Sequence, residues 1–286
     1  MKRAVKKVVT GSVQYDGAGV KLVRVIGNAT VYDFDPFLML DAFDSRDPED
    51  YIKGFPWHPH RGIETVTYLI QGDIEHGDSI GNSGSILDGG CQWMTAGRGI
   101  LHQEMPQPAD RMLGVQLWLN LPKKDKMTHP QYRDIRGDMV PLIQKKGGEV
   151  RVISGVYDGK EGATRGDYVE MTFLDVKLEP GAVWELSVNA EDTVFLYLVE
   201  GSAIVGEGES TLRENRSALL LTEGEEVLVE AGKEGVRFLL FAGAPLREPI
   251  AWGGPIVMNT REELNQAFEE IRNGTFIKKM PRKPLL

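Results

Sequence analysis

Two stretches decide the fold: Glu64-Thr-Val-Thr-Tyr-Leu-Ile-Gln-Gly72 and Thr193-Val-Phe-Leu-Tyr-Leu-Val-Glu-Gly201. In each, a short run rich in β-branched and aromatic residues ends at a glycine, which is typical of a β-strand that enters a turn. One stretch lies in each half of the 286-residue chain. We therefore expect two related β-barrels in tandem, formed by residues 1–135 and 136–286.

Further short runs of the same kind follow one another along the chain. The 33 glycines and 15 prolines are spread over its whole length, which is typical of many turns between short strands. The clearest of these runs are 114–119, 182–188, 226–230 and 236–241. Closely spaced strands of this kind predict an all-β sandwich or barrel.

One segment has a strong helical pattern. Thr260 and Glu263 form a capping box, and apolar residues then recur at helical spacing until Gly274 ends the run. These apolar residues are Leu264, Ala267, Phe268 and Ile271. We expect a helix near 260–273 whose apolar stripe packs against a barrel.

Composition restricts the class of function. The chain has 42 acidic and 33 basic residues and a formal charge of −9, which disfavours a broad surface for nucleic-acid phosphates. Its single cysteine, Cys91, cannot form an internal disulfide, and no run reaches the roughly 18 apolar residues of a membrane span. We expect a cytoplasmic monomer that neither crosses a membrane nor binds nucleic acid directly.

All five histidines lie in the first half, and two of them form His58-Pro59-His60. Residues two apart share a face of an extended strand, and His102-Gln103-Glu104 repeats that spacing with an imidazole and a carboxylate. Antiparallel strands can bring the two pairs together. Three neutral imidazoles and one carboxylate would then suit a divalent ion such as Fe(II).

Spacing leaves the identity of the carboxylate ligand open. Glu64 follows His60 by four residues and, by strand alternation, would lie on the same face. If Glu64 binds the ion, Glu104 is not a ligand, and it either supports the ligands from outside or transfers protons. Since no histidine follows His129, only the first barrel can hold a histidine-built site, and we expect a degenerate second barrel without metal.

Two motifs resemble the signature of the pirin family of bicupins: Pro56-Trp-His-Pro-His-Arg-Gly-Ile-Glu-Thr-Val-Thr-Tyr-Leu69 and Trp93-Met-Thr-Ala-Gly-Arg-Gly-Ile-Leu-His-Gln-Glu-Met-Pro106. Segments 35–40, 116–127 and 254–260 are similar to pirin sequences as well. The resemblance implies an all-β fold of two tandem cupin barrels, each a double-stranded β-helix or jelly roll, with a C-terminal helix. It also implies metal in the N-terminal barrel only.

The resemblance assigns the metal-ligand roles to His58, His60, His102 and Glu104, and thereby favours Glu104 over Glu64. The implied cofactor is one divalent transition metal, Fe(II) in the first place, with Ni, Cu, Zn, Mn or Co as alternatives. The implied activity is a quercetinase-type dioxygenase that cleaves a flavonol such as quercetin with O2. Glu104 would be its catalytic base. The alternative is a non-enzymatic metal-binding regulatory protein that binds transcription factors or metabolic enzymes.

Several residues near the motifs have two interpretations. Four apolar residues flank the ligand strands and either line a pocket for a small aromatic substrate or pack in the core: Phe55, Trp57, Trp93 and Met94. His76 either faces the pocket entrance or is a structural residue of a turn or of the core. His129 and Cys91 are expected to be structural. A basic tail is expected to be solvated, and it contains Lys278, Lys279, Arg282 and Lys283.

Overall fold

Short antiparallel strands account for most of the chain in the computed structural model, which describes residues 1–278. The strands up to residue 135 are β1 (Val5–Thr10), β2 (Ser12–Asp16), β3 (Val20–Ile26), β4 (Phe37–Ser45), β5 (Phe55–His60), β6 (Ile63–Gln71), β7 (Ile74–Asp78), β8 (Ser83–Ile86), β9 (Cys91–Thr95), β10 (Ile100–Pro106), β11 (Met112–Asn120) and β12 (Gln131–Ile135). The later elements are β13 (Leu142–Lys145), β14 (Gly148–Ser154), β15 (Val156–Tyr157), β16 (Lys160–Glu161), β17 (Met171–Leu178), β18 (Val183–Ser187), β19 (Thr193–Val205), β20 (Arg213–Glu214), β21 (Ser217–Leu221), β22 (Glu226–Gly243), β23 (Ala251–Gly253), β24 (Ile256–Met258) and α1 (Arg261–Arg272). The predicted all-β fold with one late helix is confirmed.

The first barrel consists of two antiparallel sheets. The seven-stranded sheet has the order β12-β9-β6-β11-β4-β3-β2, and the four-stranded sheet has the order β5-β10-β7-β8. Strand β5 contains Pro56 and Pro59 and lies at an edge, where a missing backbone N–H leaves no ladder bond unmade. Side chains of β10 contact those of β6 and β11, so the two sheets enclose a common interior.

The second barrel is built from one nine-stranded sheet. Its main path is β1-β21-β19-β22-β17-β14-β13, with β18 paired to β22 and β20 paired to β19. Strands β19 and β22 are long, at 13 and 18 residues, and register shifts along their pairing bend the sheet. The enclosed core is apolar and includes Val152, Leu174, Trp184, Leu196, Val229 and Phe238.

Each barrel is completed by the opposite end of the chain. Strand β1 pairs with β21 of the second barrel, although it precedes the whole first barrel in sequence. The segment 251–277, here called the C-terminal strap, returns from the second barrel to the first, where Ile256 forms a bridge to Arg61. The boundary between residues 135 and 136 stays a prediction, and these two crossings show that the chain ends do not follow it.

The helix in the strap forms as its capping box predicts. The Thr260 hydroxyl accepts a hydrogen bond from the Glu263 N–H, and the Glu263 carboxylate accepts one from the Thr260 N–H. The predicted apolar stripe packs against β23 and β24, with Leu264 and Ala267 fully buried. Of the basic tail, Lys278 pairs with Glu270, while Lys279, Arg282 and Lys283 lie outside the described residues.

The two barrels share an aromatic core. Phe195 stacks on Phe241 with ring centroids 4.7 Å apart, and the edges of Phe34 and Phe37 approach Phe195 at 5.2 Å. Tyr68 is buried at the same junction and donates a hydrogen bond of 2.7 Å to Asp175. Burial of several large rings makes the junction a continuation of the core rather than a contact of two surfaces.

No helix within residues 1–278 has the length and apolar character that a membrane span needs.

We expect Phe195→Ala to lower the free energy of unfolding by about 3–5 kcal/mol, because it removes a ring at the centre of the shared core. Urea denaturation followed by circular dichroism measures the loss. Val183→Ala is the control, since Val183 is 58% exposed whereas Phe195 is 0% exposed. A loss below about 1 kcal/mol for Phe195→Ala would contradict the shared core.

Candidate metal centre

Three histidines converge at one end of the first barrel. His58 and His60 lie on β5, and His102 on β10 is the register partner of His58. One ring nitrogen of each histidine lies within 4.8 Å of those of the other two. His60 and His102 are buried, and His58 is half-buried. The predicted convergence of these three side chains is therefore observed.

Backbone carbonyl groups fix the tautomers of two of these rings. His58 Nδ1 lies 2.9 Å from the Pro56 carbonyl oxygen, and His60 Nδ1 lies 3.2 Å from that of Pro255. Because a carbonyl only accepts, each Nδ1 carries the proton and each Nε2 presents a lone pair. The two Nε2 atoms lie 3.0 Å apart, so in the neutral forms of both rings their lone pairs face each other.

The electrostatics of the cluster favour a bound cation. Burial lowers the pKa of His60 to about 3, and burial also holds the pKa of His102 far below its usual range. These rings are therefore neutral, which is the form that binds metal. Neither ring nitrogen of His102 has a protein partner within the described chain. Converging lone pairs on neutral, buried imidazoles fit a divalent transition metal.

Glu104 lies beside the histidine cluster but is not part of this compact group. Its Oε1 accepts hydrogen bonds from Thr67 at 3.0 Å and from Gln116 at 3.0 Å, and its Oε2 accepts one from Gln116 at 2.8 Å. The register between β5 and β10 shifts at this point. His102 pairs with His58 but Glu104 pairs with Phe55, so an advance of two residues on β10 corresponds to three on β5. Burial raises the pKa of Glu104. Its role as a fourth ligand stays a prediction.

Glu64 lies in a different sheet from the histidines. Gly62 has a φ of +77° and turns the chain between β5 and β6, so alternation does not continue from His60 to Glu64. On β6, Glu64 lies on the same face as Val66, which belongs to the core that the two barrels share. Its Oε1 accepts a 2.6 Å hydrogen bond from Thr95, and burial raises its pKa to about 7. Among the described residues Glu64 is absent from the histidine cluster.

The two remaining histidines lie apart from the cluster. His76 is buried on β7, opposite Glu104 in register, and its ring stacks on Tyr132 with centroids 4.1 Å apart. It packs inside the barrel and does not line the entrance. His129 is exposed in the connection between β11 and β12. Cys91 is fully buried, as expected of a core residue.

A cavity of about 580 Å³ opens beside the centre, and His58 and His60 form part of its wall. Its apolar lining includes Phe55, Met39, Trp118 and Trp252, and its polar lining includes Arg24, Asp41 and Gln116. Of the four residues predicted for a pocket wall, Phe55 lines the cavity. Trp93 and Met94 pack in the core, and Trp57 is 54% exposed.

No sequence pattern indicates that the C-terminal strap belongs to this centre. Besides the Pro255 carbonyl near His60, the strap supplies the ring of Trp252. It is held by the buried Arg61, which donates a 2.7 Å hydrogen bond to Glu270. A Cβ on Gly62 would lie 1.9 Å from the Val257 carbonyl oxygen, so glycine permits this close approach. Only the tertiary structure brings residues near 60 and 255 together.

Two family models match the chain, described as pirin over residues 19–119 and as the pirin C-terminal cupin domain over residues 173–277. A pirin-like protein of Caulobacter vibrioides is 45% identical over 277 residues, which cover 96% of this chain and 99% of that protein. The chain belongs to the pirin family. The expected fold of tandem cupin barrels is thereby confirmed.

Solved structures of other proteins have a similar fold. A quercetin 2,3-dioxygenase from Acinetobacter baumannii superposes with a TM-score of 0.87 at 33% identity, over 96% of this chain and 99% of that one. A bacterial pirin from Escherichia coli in complex with nickel(II) superposes with a TM-score of 0.64 over 84% of this chain and 98% of that one. At 21% identity, the second structure shows likeness of fold alone.

We expect one equivalent of transition metal per chain by elemental analysis after loading and desalting. His102→Ala should weaken metal binding by more than about 100-fold. Substitution of residues that only contact the metal ligands already lowers metal affinity by about 10–100-fold, and His102 is a proposed ligand itself. His129→Ala, which removes an exposed histidine outside the cluster, should keep full occupancy. Two tightly bound equivalents in the wild type, or full occupancy in His102→Ala, would contradict a single histidine-built centre.

Proposed function

We propose that this protein is a metal-dependent dioxygenase that cleaves a flavonol such as quercetin with O2. In this proposal one divalent transition metal, Fe(II) in the first place, is held by His58, His60, His102 and Glu104. The similarity to a solved quercetin 2,3-dioxygenase supports the activity. The observation that carries the proposal is the opening of the histidine cluster onto a cavity walled by aromatic side chains.

The size and lining of the cavity suit a small aromatic substrate. Its volume of about 580 Å³ lies within the roughly 300–1,000 Å³ of ordinary small-ligand pockets. The rings of Trp118 and Trp252 lie 5.9 Å apart and are tilted by 36°. Trp118 also contacts His60 edge to face at 5.0 Å, so its indole joins the centre to the cavity. A flat aromatic molecule in the cavity therefore lies close to the histidines.

Glu104 is the proposed base. A divalent transition metal, when bound, supplies Lewis acidity toward an oxyanion and electron transfer to dioxygen. The Glu104 carboxylate accepts the proton of the enolic hydroxyl, and the raised pKa that burial gives it favours this proton transfer. The buried imidazoles of His60 and His102 are neutral and do not compete for the proton, because burial lowers their pKa values.

Gln116 orients that base. Its Nε2 donates to both oxygens of Glu104, at 3.0 and 2.8 Å, and its Oε1 accepts a hydrogen bond of 3.4 Å from Trp118 Nε1. The indole donor fixes the amide with its NH2 group toward Glu104, since an indole N–H can only donate. Gln116 therefore holds the carboxylate in one orientation beside the cavity.

Oxygen consumption tests the activity. Protein loaded with Fe(II) should consume O2 and bleach the quercetin absorption band, and protein stripped of metal should do neither. Reloading with Ni(II), Mn(II) or Co(II) under the same conditions identifies the metals that support turnover. Full metal occupancy without turnover would contradict the dioxygenase and favour the alternative of a metal-binding regulatory protein.

We expect Glu104→Gln to lower turnover of quercetin by about 10²–10⁴-fold, because it removes the base while preserving shape. Metal binding should weaken without being abolished, since three imidazoles remain. Glu64→Gln is the matched control, because Glu64 contacts Thr95 rather than the histidines. Turnover of both variants is compared at equal metal occupancy.

The reverse result would overturn the assignment of Glu104. If Glu64→Gln loses its metal while Glu104→Gln keeps both metal and turnover, Glu64 is the acidic ligand. Equal losses in the two variants would likewise contradict a base role that is specific to Glu104.

A further inference from the structure

The wall of the cavity contains a charged group that the proposed chemistry does not use. Arg24 on β3 lines the cavity together with two carboxylates, Asp41 on β4 and Asp16 on β2. Arg24 is the register partner of Asp41, and Asp41 is the register partner of Gln116 on β11. A row of polar side chains therefore runs across the sheet from Arg24 to the residue that orients Glu104.

The two carboxylates hold the guanidinium group of Arg24 in one orientation. Its Nε donates to Asp41 Oδ1 at 2.9 Å, and its Nη2 donates to Asp41 Oδ2 at 2.7 Å and to Asp16 Oδ2 at 2.8 Å. The Asp41 side chain is 4% exposed, so the bidentate pair is shielded from solvent on that side. A guanidinium anchored in this way loses little conformational entropy when it binds a further group.

Two N–H groups of the Arg24 guanidinium are not used by the contacts with Asp41 and Asp16. A guanidinium has five N–H groups, and the contacts with Asp41 and Asp16 use three of them. Both remaining N–H groups are on Nη1, which has no hydrogen-bond acceptor among residues 1–278. The Arg24 side chain is 33% exposed and lines the cavity. The cavity therefore offers a fixed, positively charged pair of donors.

We propose that Arg24 is a specificity-determining residue that donates hydrogen bonds from Nη1 to an oxygen substituent of the aromatic ligand. This oxygen is separate from those that meet the histidine cluster. The inference rests on the proposed function and narrows its substrate class to planar aromatic compounds that are hydroxylated beyond the metal-binding oxygens. A ligand without such an oxygen leaves the donors unpaired and binds less tightly.

Two flavonols separate this role from metal binding. Quercetin and 3-hydroxyflavone have the same chelating hydroxyl and carbonyl oxygens, but 3-hydroxyflavone has no other hydroxyl. Their dissociation constants are measured by titration calorimetry with the metal-loaded protein, without O2 so that no turnover occurs. We expect the wild type to bind quercetin about 10- to 100-fold more tightly, which is the scale of a hydrogen bond to a charged group.

Arg24→Met should remove this preference. Quercetin affinity should fall to that of 3-hydroxyflavone, whose own affinity should change by less than about threefold. Because Arg24→Met leaves the buried Asp41 carboxylate unpaired, the double variant Arg24→Met/Asp41→Leu is included to remove both charges of the pair. Arg136→Met is the matched control, since Arg136 is exposed and pairs with Asp138 away from the cavity.

The outcomes test the role of Arg24 separately from the proposed dioxygenase function. Equal affinities of the wild type for the two flavonols, or an unchanged ratio in both Arg24 variants, would overturn the role of Arg24 and leave the dioxygenase standing. Failure of the metal-loaded wild type to bind either flavonol would overturn both. Loss of the preference in both variants, with Arg136→Met unchanged, would support the inference.

Discussion

The close approach of two histidine Nε2 atoms, those of His58 and His60 at 3.0 Å, is the constraint on which the centre depends. The Pro56 and Pro255 carbonyl groups maintain this arrangement, because they fix the protons on the opposite ring nitrogens, the Nδ1 atoms. His58 and His60 would both offer an Nε2 lone pair to a divalent cation, which would replace their mutual repulsion with metal binding. The barrel thus holds its histidines in an arrangement that suits a bound ion better than a proton.

Polar side chains of the seven-stranded sheet contact the centre from across the barrel. Thr67 and Gln116 project into the barrel from β6 and β11 and bind the carboxylate of Glu104. The cluster therefore needs both sheets: the four-stranded sheet supplies the imidazoles, and the seven-stranded sheet orients the acid. The second barrel has an apolar interior and contributes stability through the shared aromatic junction.

Local sequence signals predicted much of this structure. Strand runs, the capping box at Thr260 and the spacing of His58, His60 and His102 each depend on residues close in sequence or on simple alternation. Alternation failed for Glu64, because the turn at Gly62 moves the chain into another sheet. The position of Gly62 was visible in the sequence, but its effect on register was not.

Contacts between distant segments could not be predicted in the same way. Trp118, Trp252 and Pro255 carry no motif that marks them as neighbours of the histidines, and their proximity follows from the return of the strap to the first barrel. The pairing of β1 with β21 is equally invisible, because β1 is followed directly by the strands of the other barrel. Hydrophobic patterns identify these strands but not their partners.

The strap has a consequence for the order of events during synthesis. The histidines lie between residues 58 and 102, so a ribosome completes them long before it adds Pro255. The carbonyl that fixes the His60 proton, the Trp252 ring and the Glu270 carboxylate that anchors Arg61 arrive only with the last part of the chain. A nascent first barrel thus has its imidazoles without the group that orients one of them. The finished arrangement of the three histidines is therefore a property of the whole translated chain.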